Sequence, residues 1–146
     1  KGHGIGFADF DLDGDLDIFE QMGGFYLSDG FTNLLYENPG NSNNWIGIIL
    51  KRSNEKTIVG TTISLNCGNE ITYNSTVDNG GSFGSSSFIQ TLGLNTCDNI
   101  VDLEIIWAST NNSQNFKNVP VNKYILIREF EDSYKNIQFK VGETIE

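Results

Sequence analysis

Apolar residues recur along most of this chain at every second position, in runs of strand length. NWIGIILK (44–51), IVGTTISLN (58–66), EITYNSTV (70–77), SSFIQTLGL (86–94), IVDLEIIWA (100–108) and YILIREF (124–130) are rich in β-branched and aromatic residues. The spacers GNSNN, NCGN, DNGG, NTCDN and STNNSQN are turn chemistry. Period two places Ile71, Tyr73 and Val77 on one strand face, and sets Val101, Leu103, Ile105 and Trp107 against Asp102 and Glu104. No stretch sustains an amphipathic helix. The pattern predicts an all-β protein, an antiparallel β-sandwich or barrel-like domain. Near the end, Ile137, Phe139 and Val141 alternate with Asn136, Gln138 and Lys140. That tail strand either closes its own sheet or pairs with the edge of a neighbouring molecule.

The first forty residues are patterned differently, with an acidic stretch, a glycine pair at Gly23-Gly24 and a strong boundary signal at Pro39-Gly40. The chain divides there into an N-terminal hairpin piece (1–40), an all-β domain (41–130) and an extra strand or tail (131–146). Its 146 residues, 38% apolar, are enough for one ordinary core and a small appendage. Of the net charge of −10, six negative charges fall between Asp9 and Glu20, so the acidity is local. The nine lysines and arginines form no stripe, which removes the footprint of sequence-independent nucleic-acid binding. The longest apolar run, WIGIIL, is far short of the roughly 20 residues of a spanning helix. No signal peptide is visible, and a start at KGHGIGFADF without an initiator methionine reads as an excerpt.

DFDLDGDLDIFE (9–20) holds six carboxylates and no lysine or arginine. Neighbouring carboxylates about 6 Å apart repel by roughly 0.7 kcal/mol per pair in water, so the stretch stays extended or binds a cation. Asp9, Asp11 and Asp13 alternate, and Gly14 permits the turn that curls their oxygens around one point. Many hard oxygen donors suit Ca²⁺ better than Mg²⁺. The stretch satisfies the EF-hand pattern, with Glu20 at the twelfth position. Its flanks, GHGIGFA and EQMGGFY, carry too many glycines for the two helices of an EF-hand. With strands on both sides, Asp17 and Glu20 face opposite ways about 10 Å apart, so Asp17 is the closer ligand and Glu20 a decoy.

GFADFDLDGDLDIFE resembles the calcium hairpin of FG-GAP repeats, the propeller blades of integrin α-chains and related surface proteins. That resemblance implies side-chain ligands at Asp9, Asp11, Asp13 and Asp17, with the main-chain carbonyl of Asp15 completing the shell. One such loop makes at most one blade or its remnant. NPGNSNNWIGIILKRSNEKTIVGTTISL, GGSFGSSS, LGL, VDLEIIWAST and QNFKNVPVNKYILIRE, spanning 38–129, look like the ASPIC/UnbV domain, which follows FG-GAP repeats in proteins such as cartilage acidic protein. Where that family usually writes Trp-Pro-Ser-Gly, this chain writes Trp107-Ala108-Ser109-Thr110, which alters a turn. The resemblance implies extracellular calcium binding and matrix or surface interaction.

Cys67 and Cys97 lack zinc-type spacing and form either a disulfide or two buried thiols. A disulfide implies an oxidising compartment. Asn74 and Asn111 begin sequons permissive of glycosylation. GGSFG (80–84) fits a nucleophile elbow around Ser82, but the run after it reads as a strand and His3 is the sole histidine, placed as an exposed residue before the first strand. Trp45 and Trp107 sit in apolar strands and read as core, whereas Phe25, Tyr26 and Phe31 are the expected exposed aromatics. The leading expectation is a non-enzymatic extracellular module with structural Ca²⁺, used for adhesion or matrix contact with an extracellular protein or glycan. The alternatives are a filament or sheath subunit that self-associates through strand pairing, and a carbohydrate-binding module.

Overall fold

A computed structural model of the protein describes residues 2–24, 26–52, 56–68, 72–78, 80 and 83–139. Among them there is no helix, hence none long and apolar enough to cross a membrane. Three strands, β1 (Gly2–Ala8), β2 (Asp17–Met22) and β3 (Leu34–Tyr36), form one antiparallel sheet in that order. It lies wholly before Gly40. Beyond Gly40 come β4 (Asn44–Lys51), β5 (Thr62–Asn66), β6 (Thr72–Thr76), β7 (Gln90–Asn95), β8 (Asn99–Ile106), β9 (Ser113–Pro120), β10 (Tyr124–Arg128) and β11 (Tyr134–Ile137). They build two four-stranded sheets, ordered β11-β10-β4-β7 and β6-β5-β8-β9. The all-β sandwich expected from the alternation is the observed architecture, and among the described residues no ladder closes it into a barrel.

The core lies between the two sheets. Ile46, Ile48 and Leu50 of β4 and Ile125 and Ile127 of β10 meet Ile63, Leu65, Leu103, Ile105, Trp107 and Phe116 from the facing sheet. Full burial of one such side chain is worth roughly 1.5–3 kcal/mol, so this layer supplies the main driving force. Trp107 is entirely buried, and its indole N–H donates to Gln114 Oε1. Gln114 Nε2 donates in turn to the carbonyls of Arg128 (3.0 Å) and Glu131 (2.6 Å), so the polar atoms that β8 and β9 bring inward are satisfied at the end of β10.

Several details depart from the sequence pattern. The β4–β10 ladder is parallel; between Lys51 and Tyr124 the chain passes to the facing sheet as β5 and β6, returns as β7 and crosses again as β8 and β9 before β10 lies beside β4. In β8, Leu103 and Ile105 point inward as expected, but Val101 is exposed and Ile100 takes the buried position. Val101 falls where the β8–β9 ladder skips between Ile100↔Val119 and Asp102↔Lys117. Asn118 on the partner strand has φ 53°, which breaks the pleat there. β9 itself reads poorly as a strand because of its asparagines and Pro120, which an edge strand tolerates. The tail strand pairs with β10 at the edge of its own sheet. Ile71, Lys140 and Val141 lie outside the described residues.

Cys67 and Cys97 are joined, Cα to Cα 5.8 Å, tying the end of β5 in one sheet to the loop after β7 in the other. With the two cysteines 30 positions apart, the bond removes roughly 3–4 kcal/mol of unfolded-state freedom in the chain-entropy model. A Cys67→Ala/Cys97→Ala double variant is expected to lose about that much, read as a lower urea midpoint. A variant as stable as the parent would show that the sheets need no covalent tie.

Candidate metal centre

The acidic loop connects β1 to β2, and its ends are fixed by the hairpin register, Ala8↔Asp17 and Phe7↔Ile18. Within it Leu12 (φ 66°) and Gly14 (φ 102°) take left-handed backbone, so the chain curls instead of extending. Asp9 holds the curl from inside. Its Oδ1 accepts the Asp13 N–H (3.1 Å) and its Oδ2 the Gly14 N–H (2.8 Å). Asp17, only 2% exposed, accepts the Phe10 N–H and the Asn38 N–H, each at 2.8 Å. Carboxylate oxygens of Asp9, Asp11 and Asp17 thereby come within 4.8 Å of one another.

Asp13 and Asp15 lie beside this trio rather than in it. Asp13 Oδ1 accepts the Asp15 N–H at 3.1 Å, and both side chains turn an oxygen towards Gly40. Asp15 Oδ1 is buried with no hydrogen-bond partner among the described residues. The local field is strongly negative. Desolvation and then the charge of Asp13 hold both the Asp11 and the Asp15 carboxyls above their ordinary value of 3.8. Glu20 is directed away, in β2 opposite Ile5 and alongside Gly2, and takes no part in the group.

The loop does not stand free. It lies on the outer face of the sheet that contains β4 and β10, at Trp45 and Tyr124. A Cβ at Gly14 would stand 1.9 Å from the Trp45 indole, so the positive φ and the close approach both demand glycine. The Tyr124 hydroxyl donates to Asp9 Oδ2. Burial first, and then this bond to Asp9, push the phenol well above its ordinary 10.0, so it remains a donor. Tyr124 reaches the loop across Gly47, its register partner on β4, where a side chain would collide with the ring. Phe139 packs edge to face against Tyr124, ring centroids 4.7 Å apart at 83°. A second contact joins β1 to the segment before β7, where Phe7 N–H donates to Ser86 Oγ at 3.2 Å and Ser87 N–H to the Phe7 carbonyl at 3.4 Å.

Trp45 therefore belongs to the seam between hairpin and sandwich, while Trp107 is core. Neither Tyr124 nor Asn38 carries a sequence signal for this role, since one opens an apolar strand and the other acts through its backbone. His3 is in β1 rather than before it, with Nε2 3.7 Å from Asp29 Oδ2. Tyr26 and Phe31 are exposed as expected. Asn74 is exposed on the edge strand β6, and Asn111 is exposed in the β8–β9 turn. Phe25 and Ser82 lie outside the described residues.

These features define an all-β sandwich that carries an acidic hairpin loop on one outer face. The chain belongs to the family described as ASPIC and UnbV, whose model matches residues 51–133. The match covers β5 to β10 and begins at the last residue of β4, later than the resemblance over 38–129 suggested. The hairpin lies outside it. No curated protein matches the chain.

Proposed function

We propose that the protein is a non-enzymatic, extracellular calcium-binding module used for adhesion or matrix contact, with its hairpin an FG-GAP-type loop. The observation that carries this reading is the convergence of Asp9, Asp11 and Asp17 oxygens within 4.8 Å, with no lysine or arginine in the loop to offset them. The donor set is all hard oxygen, which fits Ca²⁺, and the buried, undonated Asp15 Oδ1 beside it fits a nearby cation better than a solvated acidic turn. Asp9, Asp11 and Asp17 would hold the ion, with Asp13 and the Asp15 carbonyl as the remaining candidate donors. Bound calcium would neutralise the loop and stiffen its contacts with Trp45 and Tyr124. The role is structural.

The disulfide supports an oxidising compartment, and the exposed Asn74 and Asn111 sequons are compatible with one. A contact surface is offered by the hairpin sheet. The register Phe7↔Ile18↔Tyr36 and Ile5↔Glu20↔Leu34 puts Ile5, Phe7, Leu34 and Tyr36 on one face, all exposed. Such a patch is characteristic of an interaction site. Calorimetric titration is expected to give calcium binding of extracellular-module strength, a Kd of roughly 10⁻⁴ to 10⁻³ M. Absence of binding up to about 10 mM, an order above that window, ends the proposal.

A further inference from the structure

Where the acidic loop leans on β4 and β7, a cleft of about 330 Å³ opens on the outer face of the sandwich. Asp13 and Asp15 form one wall, and Asn41, Asn43 and Asn95 contribute to the rest. Trp45 and Gly93 are register partners across β4 and β7, so both belong to this outer face. The half-buried indole swings towards Gly14, and a Cβ placed on Gly93 would meet nothing within 4 Å. Gly93 has no positive φ. A bulge lies beside it, where the ladder shifts between Asn44↔Asn95 and Trp45↔Gly93, and a glycine suits that position. Its bare backbone leaves the floor of the cleft open beside Trp45.

We propose that this cleft binds a neutral saccharide, one or two pyranose rings, with its hydroxyls on the carboxamides of Asn41, Asn43 and Asn95 and a C–H face over Gly93 against the edge of Trp45. The volume is at the lower end of the range for small-ligand sites, which limits the ligand to this size. Carboxamides both donate and accept, as hydroxyls do, so the lining matches a polyol better than a purely donating or purely accepting ligand. Trp45 adds the aromatic surface that apolar sugar faces require. Its backbone is held in place, since its N–H donates to Asn122 Oδ1 (3.0 Å) and its carbonyl accepts the Asn122 N–H (2.6 Å). Among the described residues no lysine or arginine lines the cleft, and Asp13 and Asp15 do, so in the absence of calcium carboxylated or sulfated sugars are repelled. This names a partner class for the adhesion reading and rests on that reading for its biological use, but the binding chemistry needs no calcium ligand.

Trp107 is wholly buried, so a ligand-dependent change in tryptophan emission reports Trp45. The probes, used in calcium-free buffer, are methyl glycosides of glucose, galactose, mannose and N-acetylglucosamine, with methyl glucuronide as the charged counterpart. At least one neutral glycoside is expected to shift the emission saturably while the glucuronide does not. Gly93→Leu fills the cleft from an unstrained strand position and is expected to abolish the shift while leaving calorimetric calcium binding unchanged. Asn43→Ala, which alters only an exposed side chain, is expected to weaken it and serves if Gly93→Leu fails to fold. The proposal is overturned if no neutral glycoside shifts the emission, if the glucuronide binds as well, or if both variants bind as the parent does. A silent glycoside titration beside intact calcium binding removes the saccharide site alone, whereas a flat calcium titration removes the calcium reading.

Discussion

Glu129→Gln is expected to destabilise the protein by about 3–5 kcal/mol, the usual cost of leaving one member of a buried ion pair without its partner. Glu129, immediately after β10, is 5% exposed. Its Oε2 accepts from Arg52 Nε at 2.7 Å and its Oε1 from the Thr110 hydroxyl at 2.5 Å. Arg52 extends the link by donating to the Thr57 carbonyl at 3.1 Å. One carboxylate thus joins the chain after β4, the end of β10 and the β8–β9 turn, three segments from both sheets. Glutamine keeps the shape and removes the charge, so the Arg52 guanidinium, almost as buried, is left uncompensated. A paired Arg52→Met/Glu129→Leu variant is expected to recover much of the loss, because exchanging a whole buried pair for apolar groups is often neutral. Urea denaturation distinguishes the two, and equal losses in both variants would mean the pair contributes through packing alone.

The same pair predicts acid sensitivity. Burial by itself would raise the Glu129 carboxyl, but the Thr110 bond and the Arg52 charge outweigh it and hold the group below its ordinary 4.5. A carboxyl depressed in the folded state contributes stability that is present above the unfolded value and lost as pH falls through the folded one. Stability of the parent is therefore expected to fall as pH drops below 4.5, and Glu129→Gln to lack that portion of the fall. Identical acid profiles for parent and variant would contradict it.

Period-two alternation predicts the strands of the sandwich other than β9, because the inward faces of the central ones are plain Ile, Leu and Trp. It failed where the determinants are not carried by one strand. Nothing local says that β10 runs parallel to β4, since that depends on where the intervening chain returns. β4 and β10 read as continuous apolar runs because the core covers one face and the hairpin loop lies on the other at Trp45 and Tyr124. The acidic loop was conspicuous through charge and Gly14, but its anchoring was not. Tyr124 and Trp45 look like ordinary strand residues until the loop is folded onto them. Thr110 is a further instance. A turn that departs from the usual family residues reads as a neutral change, yet its hydroxyl is one of the groups that satisfies buried Glu129.

Asp17→Asn is expected to weaken calcium binding by about two orders of magnitude, roughly 2.7 kcal/mol, and Glu20→Gln to leave it nearly unchanged. In an EF-hand the ranking would be reversed, because there the twelfth-position glutamate is a bidentate ligand. Here the strand flanks decide the matter. Asp17 opens β2 directly after the loop, and its carboxylate reaches Asp9 and Asp11. Glu20 lies three residues further along the same strand, about 10 Å away at strand rise, and sits beside Gly2. Asparagine at position 17 keeps one acceptor but loses the charge, and its NH₂ must face either the Phe10 or the Asn38 N–H that the carboxylate accepts. Asp17→Asn should therefore also lower the melting temperature without calcium and respond less than the parent when calcium is added. Glu20→Gln should melt as the parent does under both conditions. Loss of calcium response in Glu20→Gln with its retention in Asp17→Asn would mean that Glu20 and not Asp17 closes the loop on its metal, and the strand-flanked reading would fall.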